Sequence, residues 1–142
     1  YVNNELTSAV TMFEFDKETG STKALQTITT LPEGYEENNS TAEVLVHPSD
    51  RFLYCSNRGH NSIASFKINQ KNGKLKSTGH CSSGGNTPRN FGITPDGRFV
   101  VAANQNSDNV DVLSIDQHSG ALSSTGVSIR VPHCICVRFL QP

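Results

Sequence analysis

Tryptophan is absent from this 142-residue chain, methionine occurs once, and aromatic residues make up only 7% of it. A core cannot then rest on a few large rings and must be assembled from many medium-sized side chains. No apolar run approaches the roughly 18 residues of a membrane-crossing helix. No signal peptide is visible. Basic runs are missing and the formal net charge is −1, which points away from nucleic acid and anionic membrane surfaces as partners. The four cysteines, Cys55, Cys81, Cys134 and Cys136, form no Cys-x-x-Cys pair, so no zinc signature is present. Their pattern suits a reducing, cytoplasmic setting without a disulfide network. Cys55 reads as a small buried hydrophobe. Cys134 and Cys136 would share a face if their segment were a strand. Long helical patterns are missing as well.

What is present is a repeat. His47-Pro48-Ser49-Asp50-Arg51-Phe52-Leu53-Tyr54-Cys55-Ser56-Asn57 returns 47 residues later as Thr94-Pro95-Asp96-Gly97-Arg98-Phe99-Val100-Val101-Ala102-Ala103-Asn104. The correspondence continues through Ile63 and Val110, Ile68 and Ile115, Gly73 and Gly120, and Leu75 and Leu122. A partial copy precedes them at an offset of 53, with Asn4 matching Asn57, Phe13 matching Phe66 and Gly20 matching Gly73. The extra residues fall mostly in the loop 31–40, a solvated insertion or a substrate-covering flap. A period in the forties built of short strands describes a β-propeller blade.

Each copy divides into four strand-like runs, which in the complete central copy are 42–47, 52–57, 62–68 and 75–81. The first is rich in Val and Leu and reads as a buried inner strand. In the third, Ile63, Ser65 and Lys67 alternate with Ala64, Phe66 and Ile68, as in a half-buried strand. Pro-led tight turns and Asn-Gly or Ser-Gly turns separate the runs. The expected architecture is all-β, an open arc of four-stranded antiparallel blades. It comprises a partial blade over 1–31 without its first strand, an insertion loop over 32–40, blades over 41–87 and 88–134, and a terminal strand over 135–140.

Short connections place the start of strand one, the end of strand two and the loop after it at one rim. Glu43, Asn57-Arg58-Gly59-His60, Arg89 and Asn104-Gln105-Asn106 should gather there. After the second-strand Asn, the three copies carry Glu5, Arg58 and Gln105. An acid, a base and an amide at one repeat position suit either solvent exposure or a site. His47 reads as structural, and His60 as a loop-orienting residue or an assistant to chemistry.

With these residues in view, the chain resembles the seven-bladed β-propeller lactonases, the family of bacterial-type 6-phosphogluconolactonases and carboxymuconate-lactonizing enzymes. The resemblance lies in Asn3-Asn4-Glu5-Leu6, Leu31-Pro32-Glu33-Gly34, Ser40-Thr41-Ala42-Glu43, Ser56-Asn57-Arg58-Gly59-His60, Thr87-Pro88-Arg89-Asn90-Phe91 and Pro95-Asp96-Gly97-Arg98-Phe99, and it covers essentially the whole chain. It implies hydrolysis of 6-phospho-D-glucono-1,5-lactone in the pentose phosphate route. It also implies Glu5 and Arg58 as site residues, read here as catalytic, and Arg89 as a further one that contacts substrate; the rim reading adds His60, Glu43 and Gln105 as candidate substrate contacts. A further His and Arg of the family site would come from blades upstream of Tyr1. On this reading the chain corresponds to roughly the last three of seven blades and is inactive alone. The missing blades, or self-association through exposed blade edges, would complete it.

The chemistry is consistent in outline. Lactone hydrolysis needs a positioned water, a base and oxyanion donors, and a phosphate needs Arg or Lys. Glu5 suits a base or a water-orienting group, while Arg58 and Arg89 suit phosphate capture or carbonyl polarisation. No metal or cofactor is required. A non-catalytic binding or scaffold propeller is the alternative, and a short chain that closes a ring from several copies is a third.

Overall fold

Strands form here because each run of β-branched and aromatic residues is closed by a turn that only a few residue types make cheaply. Three equivalent turns show the chemistry. Asp16, Asn69 and Asp116 each accept backbone N–H groups of the following residues on their side chains. Each turn then ends on a glycine at positive φ, Gly20, Gly73 and Gly120, where an L-residue with a Cβ is strained. At Gly120 the requirement is doubled, because a Cβ would overlap the Phe52 ring.

The computed structural model describes residues 1–140. Among these residues eleven strands fold into three antiparallel sheets. The first holds β1 (Val2–Asn4), β2 (Ala9–Phe15) and β3 (Thr22–Thr29); the second holds β4 (Ser40–Val46), β5 (Phe52–Arg58), β6 (Ser62–Ile68) and β7 (Leu75–Ser82). The third holds β8 (Pro88–Ile93), β9 (Phe99–Asn104), β10 (Asn109–Ile115) and β11 (Leu122–Arg130). Neighbouring strands are consecutive in every sheet, as in propeller blades. The first sheet lacks an inner strand, since β1 is the repeat equivalent of β5 and β9. β4 begins at Ser40, ahead of the expected start, because Ser40 already pairs with Arg58.

The core lies between the blades. Phe52, Tyr54 and Ile63 of the central blade pack with Phe91, Val100, Ala102, Leu113 and Ile115 of the third. Leu53, Cys55, Ala64, Phe66 and Ile68 on its other face pack with Val10 of the first. Each fully buried side chain of this size stabilises by roughly 1.5–3 kcal/mol. The alternation expected of β6 is therefore blurred. Both faces of the strand are covered, and Lys67 alone of its seven residues is exposed.

Polar links repeat with the blades. Tyr1 Oη donates to Gly73 O at 2.6 Å, and the equivalent Tyr54 Oη donates to Gly120 O at 2.9 Å. Asn57 Nδ2 donates to Thr30 O at 2.8 Å, and the equivalent Asn104 Nδ2 donates to Ser83 O at 2.9 Å. His47, buried, donates from Nε2 to Gly97 O at 2.8 Å, the structural role its place before Pro48 suggests.

Three expectations need correction. Residues 135–140 form no strand. The segment runs along β8, where Val137 N donates to Asn90 Oδ1 at 2.7 Å and Phe139 covers Gly92. Val137 is one repeat beyond Asn90, so the segment occupies the inner-strand position of a following blade, and no second strand lies beside it among the described residues to form a ladder. Cys134 and Cys136 accordingly do not share a face, the first being buried and the second exposed. The open-arc reading also implies that Val10, Met12, Phe13 and Phe15, at an end with no neighbouring blade, are partly exposed, but Val10 and Met12 are buried. They point inward to the central blade, whereas Phe13 and Phe15 are exposed.

Candidate functional site

Two β-bulges shape one rim of the arc. In β4 the register slips between Thr41 and Val44, and in β8 between Pro88 and Asn90. The slips are equivalent in the repeat. An extra residue kinks a strand and re-aims its side chains. In β8 the unpaired residue is Arg89. In β4 the slip leaves Ala42 and Glu43 outside the ladder, with Glu43 N donating to Ser56 Oγ at 3.1 Å.

Between the bulges and the end of β1 opens a cleft of about 380 Å³ lined by Asn3, Glu5, Thr41, Glu43, Arg58, Arg89, Asn90 and Ile135. Four of the six residues read as site candidates from the sequence, Glu5, Arg58, Glu43 and Arg89, thus meet in one place. They arrive from three blades: Glu5 from the turn after β1, Arg58 from the end of β5, Glu43 from β4 and Arg89 from β8.

Arg58 is committed within this cleft. Its side chain is only 13% exposed, and its Nη2 donates to Glu5 Oε1 and, at 3.0 Å, to Thr41 O. Its Nε is enclosed without an acceptor among the described residues. Glu5 is 61% exposed at its side chain, so its carboxylate reaches the open cleft while one oxygen holds the guanidinium. Arg89 is exposed, and its side chain makes no hydrogen bond or ion pair among the described residues. One arginine is fixed beside a carboxylate and a second is free, which divides the positive charge into a placed donor and an available one.

Glu43 is the second carboxylate of the cleft. Its Oε2 accepts from Asn90 Nδ2 and lies 3.7 Å from Arg138 Nη2, and its Oε1 accepts from Val44 N at 3.2 Å. Behind it Cys55 is buried and its thiol is pushed up to about 12, mainly by burial and further by the Glu43 charge. A thiol held protonated in this way is no nucleophile.

The structure leaves His60 and Gln105 outside the residues that line the cleft. His60 shares a hydrogen bond between Nδ1 and Ser62 Oγ at 2.7 Å, and its ring meets Tyr35 edge-on at 4.9 Å and His80 at 5.6 Å. Gln105 N donates to Thr87 O at 3.0 Å. Burial, followed by the neighbouring His80, lowers the His60 pKa. Sequence reading missed Asn3, Asn90 and Arg138. The signal for Asn90 was present, since it stands one repeat beyond Glu43. Arg138 carried none, because its place follows from the docking of the last segment.

The whole arrangement has relatives. Residues 1–139 match the family model described as lactonase, 7-bladed β-propeller. This chain belongs to that lactonase family. The 6-phosphogluconolactonase of Bacillus subtilis is 34% identical over 141 residues, 99% of this chain and 40% of the relative. Among solved structures, a protein from Lactobacillus plantarum superposes with a TM-score of 0.92 at 36% identity, covering 96% of this chain and 40% of that one. The periplasmic gluconolactonase of Pseudomonas aeruginosa superposes with a TM-score of 0.91 at 33% identity, covering 96% and 38% respectively. This lactonase-family chain thus spans about 40% of the length of these relatives.

Proposed function

We propose that the propeller to which these blades belong hydrolyses 6-phospho-D-glucono-1,5-lactone to 6-phosphogluconate, in the cytoplasm and within the pentose phosphate route. The observation that carries this reading is the pairing of a fixed Glu5–Arg58 couple with a free Arg89 in one cleft. The exposed Glu5 carboxylate orients the attacking water and draws off its proton as the bond to the lactone carbonyl forms, and returns that proton to the ring oxygen as the ring C–O bond breaks. Arg58, held by Glu5 and Thr41 O, presents its guanidinium where negative charge develops on that carbonyl oxygen. Glu43 accepts hydrogen bonds from sugar hydroxyls. Arg89 takes the phosphate, because its five donors are not engaged elsewhere and a guanidinium matches a phosphate bidentately.

Similarity to a periplasmic gluconolactonase supports a second reading, in which the substrate has no phosphate. Turnover of the two lactones by Arg89→Ala decides between them. Loss of about 2 kcal/mol in kcat/KM for the phosphorylated lactone alone, the scale of a charge-assisted hydrogen bond, supports the first reading. Equal small effects on both lactones would favour the second. No turnover of either lactone by the full-length protein would remove both and leave a binding propeller. The chain by itself is proposed to be inactive, because the cleft is walled only on the sides these blades supply.

A further inference from the structure

The inner strands of the arc are joined by an unbroken run of side-chain hydrogen bonds at one repeat position. Glu43, Asn90 and Val137 stand 47 residues apart in turn. Asn90 Nδ2 donates to Glu43 Oε2. Asn90 Oδ1 in return accepts from Val137 N at 2.7 Å and from Arg138 Nη1 at 3.3 Å. One buried amide therefore uses its two ends for two different tasks. Its donor end holds a carboxylate of the cleft, and its acceptor end holds the last segment of the chain. That segment carries Arg138 to 3.7 Å from the same Glu43 oxygen and places Ile135 in the cleft wall.

A carboxylate has two nearly equivalent oxygens and rotates freely unless donors fix it. Here Val44 N fixes Oε1 and Asn90 fixes Oε2, so the Glu43 plane is set before any ligand arrives. We infer that Asn90 is a positioning residue that orients the Glu43 carboxylate for substrate hydroxyls and ties that orientation to docking of residues 135–139. This rests on the lactonase reading for its substrate, but not for its geometry.

The two ends of the amide can be separated. Asn90→Asp keeps the acceptor toward Val137 N and replaces the donor with an oxygen facing Glu43. Glu43→Gln combined with Asn90→Asp restores a donor–acceptor pair with its direction reversed. In the full-length protein, Asn90→Asp is expected to raise KM for the lactone about ten-fold, the scale of one hydrogen bond to a charged group, with kcat within about two-fold. A structural defect would lower the active fraction and hence kcat. In the 142-residue chain, Asn90→Asp is expected to lower Tm and the double variant to recover it. Heteronuclear NOE values of the Val137 and Arg138 amides should stay at wild-type level in Asn90→Asp and collapse in Asn90→Leu. Unchanged KM and unchanged Tm in Asn90→Asp would overturn the inference, as would a double variant no more stable than Asn90→Asp. If the wild-type protein hydrolyses no lactone, the functional reading fails while the Tm and NOE pattern still decides whether Asn90 holds Glu43.

Discussion

Asn57 and Asn104 occupy the same repeat position and are both fully buried, yet they are not equally satisfied. Asn57 donates to Thr30 O and Ser62 Oγ, and its Oδ1 accepts from Thr30 Oγ1 at 2.7 Å and Asn39 Nδ2 at 3.2 Å. Asn104 donates to Ser83 O, but its Oδ1 has no donor among the described residues. Ser83 directs its hydroxyl to Asn61 O and Gly85 O instead. Truncation of Asn57 strands several groups, whereas truncation of Asn104 strands one carbonyl and also removes an unmet acceptor. Asn57→Ala should therefore cost about 2–3 kcal/mol and Asn104→Ala about 1 kcal/mol, measured by urea unfolding of the two variants. Equal losses would show that the shared position, and not its partners, sets the cost. At this scale the sequence revealed the site unevenly. Glu5, Arg58, Glu43 and Arg89 were legible because repeat offsets and the topology of a four-stranded blade place them on one rim. Asn90 was marked only by standing one repeat beyond Glu43, and that signal gains meaning once the bulge in β8 turns its amide toward Glu43.

Between β3 and β4 the inserted segment is held by side chains and not by a ladder. Asn39 donates from Nδ2 to Ser8 Oγ at 2.9 Å and accepts from His60 N at 3.1 Å, while Tyr35 meets the His60 ring edge-on. Gly59, at a φ of 144°, passes so close to Asn38 that no Cβ fits. This loop is packed onto the turn after β5, which neither composition nor its three acidic residues indicated. Its anchor titrates. Burial lowers the His60 pKa, with His80 contributing, so the unfolded chain binds this proton more tightly than the folded one. The stability held by neutral His60 is complete above the ordinary histidine value of about 6.5 and is lost as pH falls below it toward the lower folded value. Thermal unfolding followed from about pH 7.5 to about pH 5 should show a falling Tm that His60→Gln flattens. An unchanged slope in that variant would assign the loss to other groups. Turn carboxylates are separate in pH, since hydrogen bonds lower the pKa values of Asp16 and Asp116 in two of the equivalent turns and of Asp96 in the turn before β9, and their contribution disappears only in stronger acid. The four strands of the central blade were legible to within two residues, with β6 as expected, whereas the strand expected over 135–140 did not form because it has no ladder partner of its own blade among the described residues. What the alternation in β6 did not reveal is burial on both faces, because a strand between two blades obeys the packing of its neighbours as well as its own period.

At the scale of the molecule, the central blade is covered on both faces and the outer two are covered on one. Phe13, Phe15 and Leu6 of the first blade are exposed, with Leu6 at 87%, and so are Val127, Ile129 and Ile135 at the other end. Apolar side chains left open at both ends of an arc favour contact between copies, and unpaired strand edges favour it further. The 142-residue chain should therefore associate reversibly as its concentration rises, seen as a sedimentation coefficient that increases with loading. Phe15→Lys combined with Ile129→Lys places charge on each end without touching the clusters between blades, and it should return the chain to a monomer with its Tm unchanged. Joining the arc to the blades that precede it in the longer relatives should have the same effect by covering these faces. A wild-type chain that sediments as a monomer at every concentration would mean that the exposed faces are too small or too interrupted to pair. A monomer that also hydrolysed lactone would show that three blades complete the site.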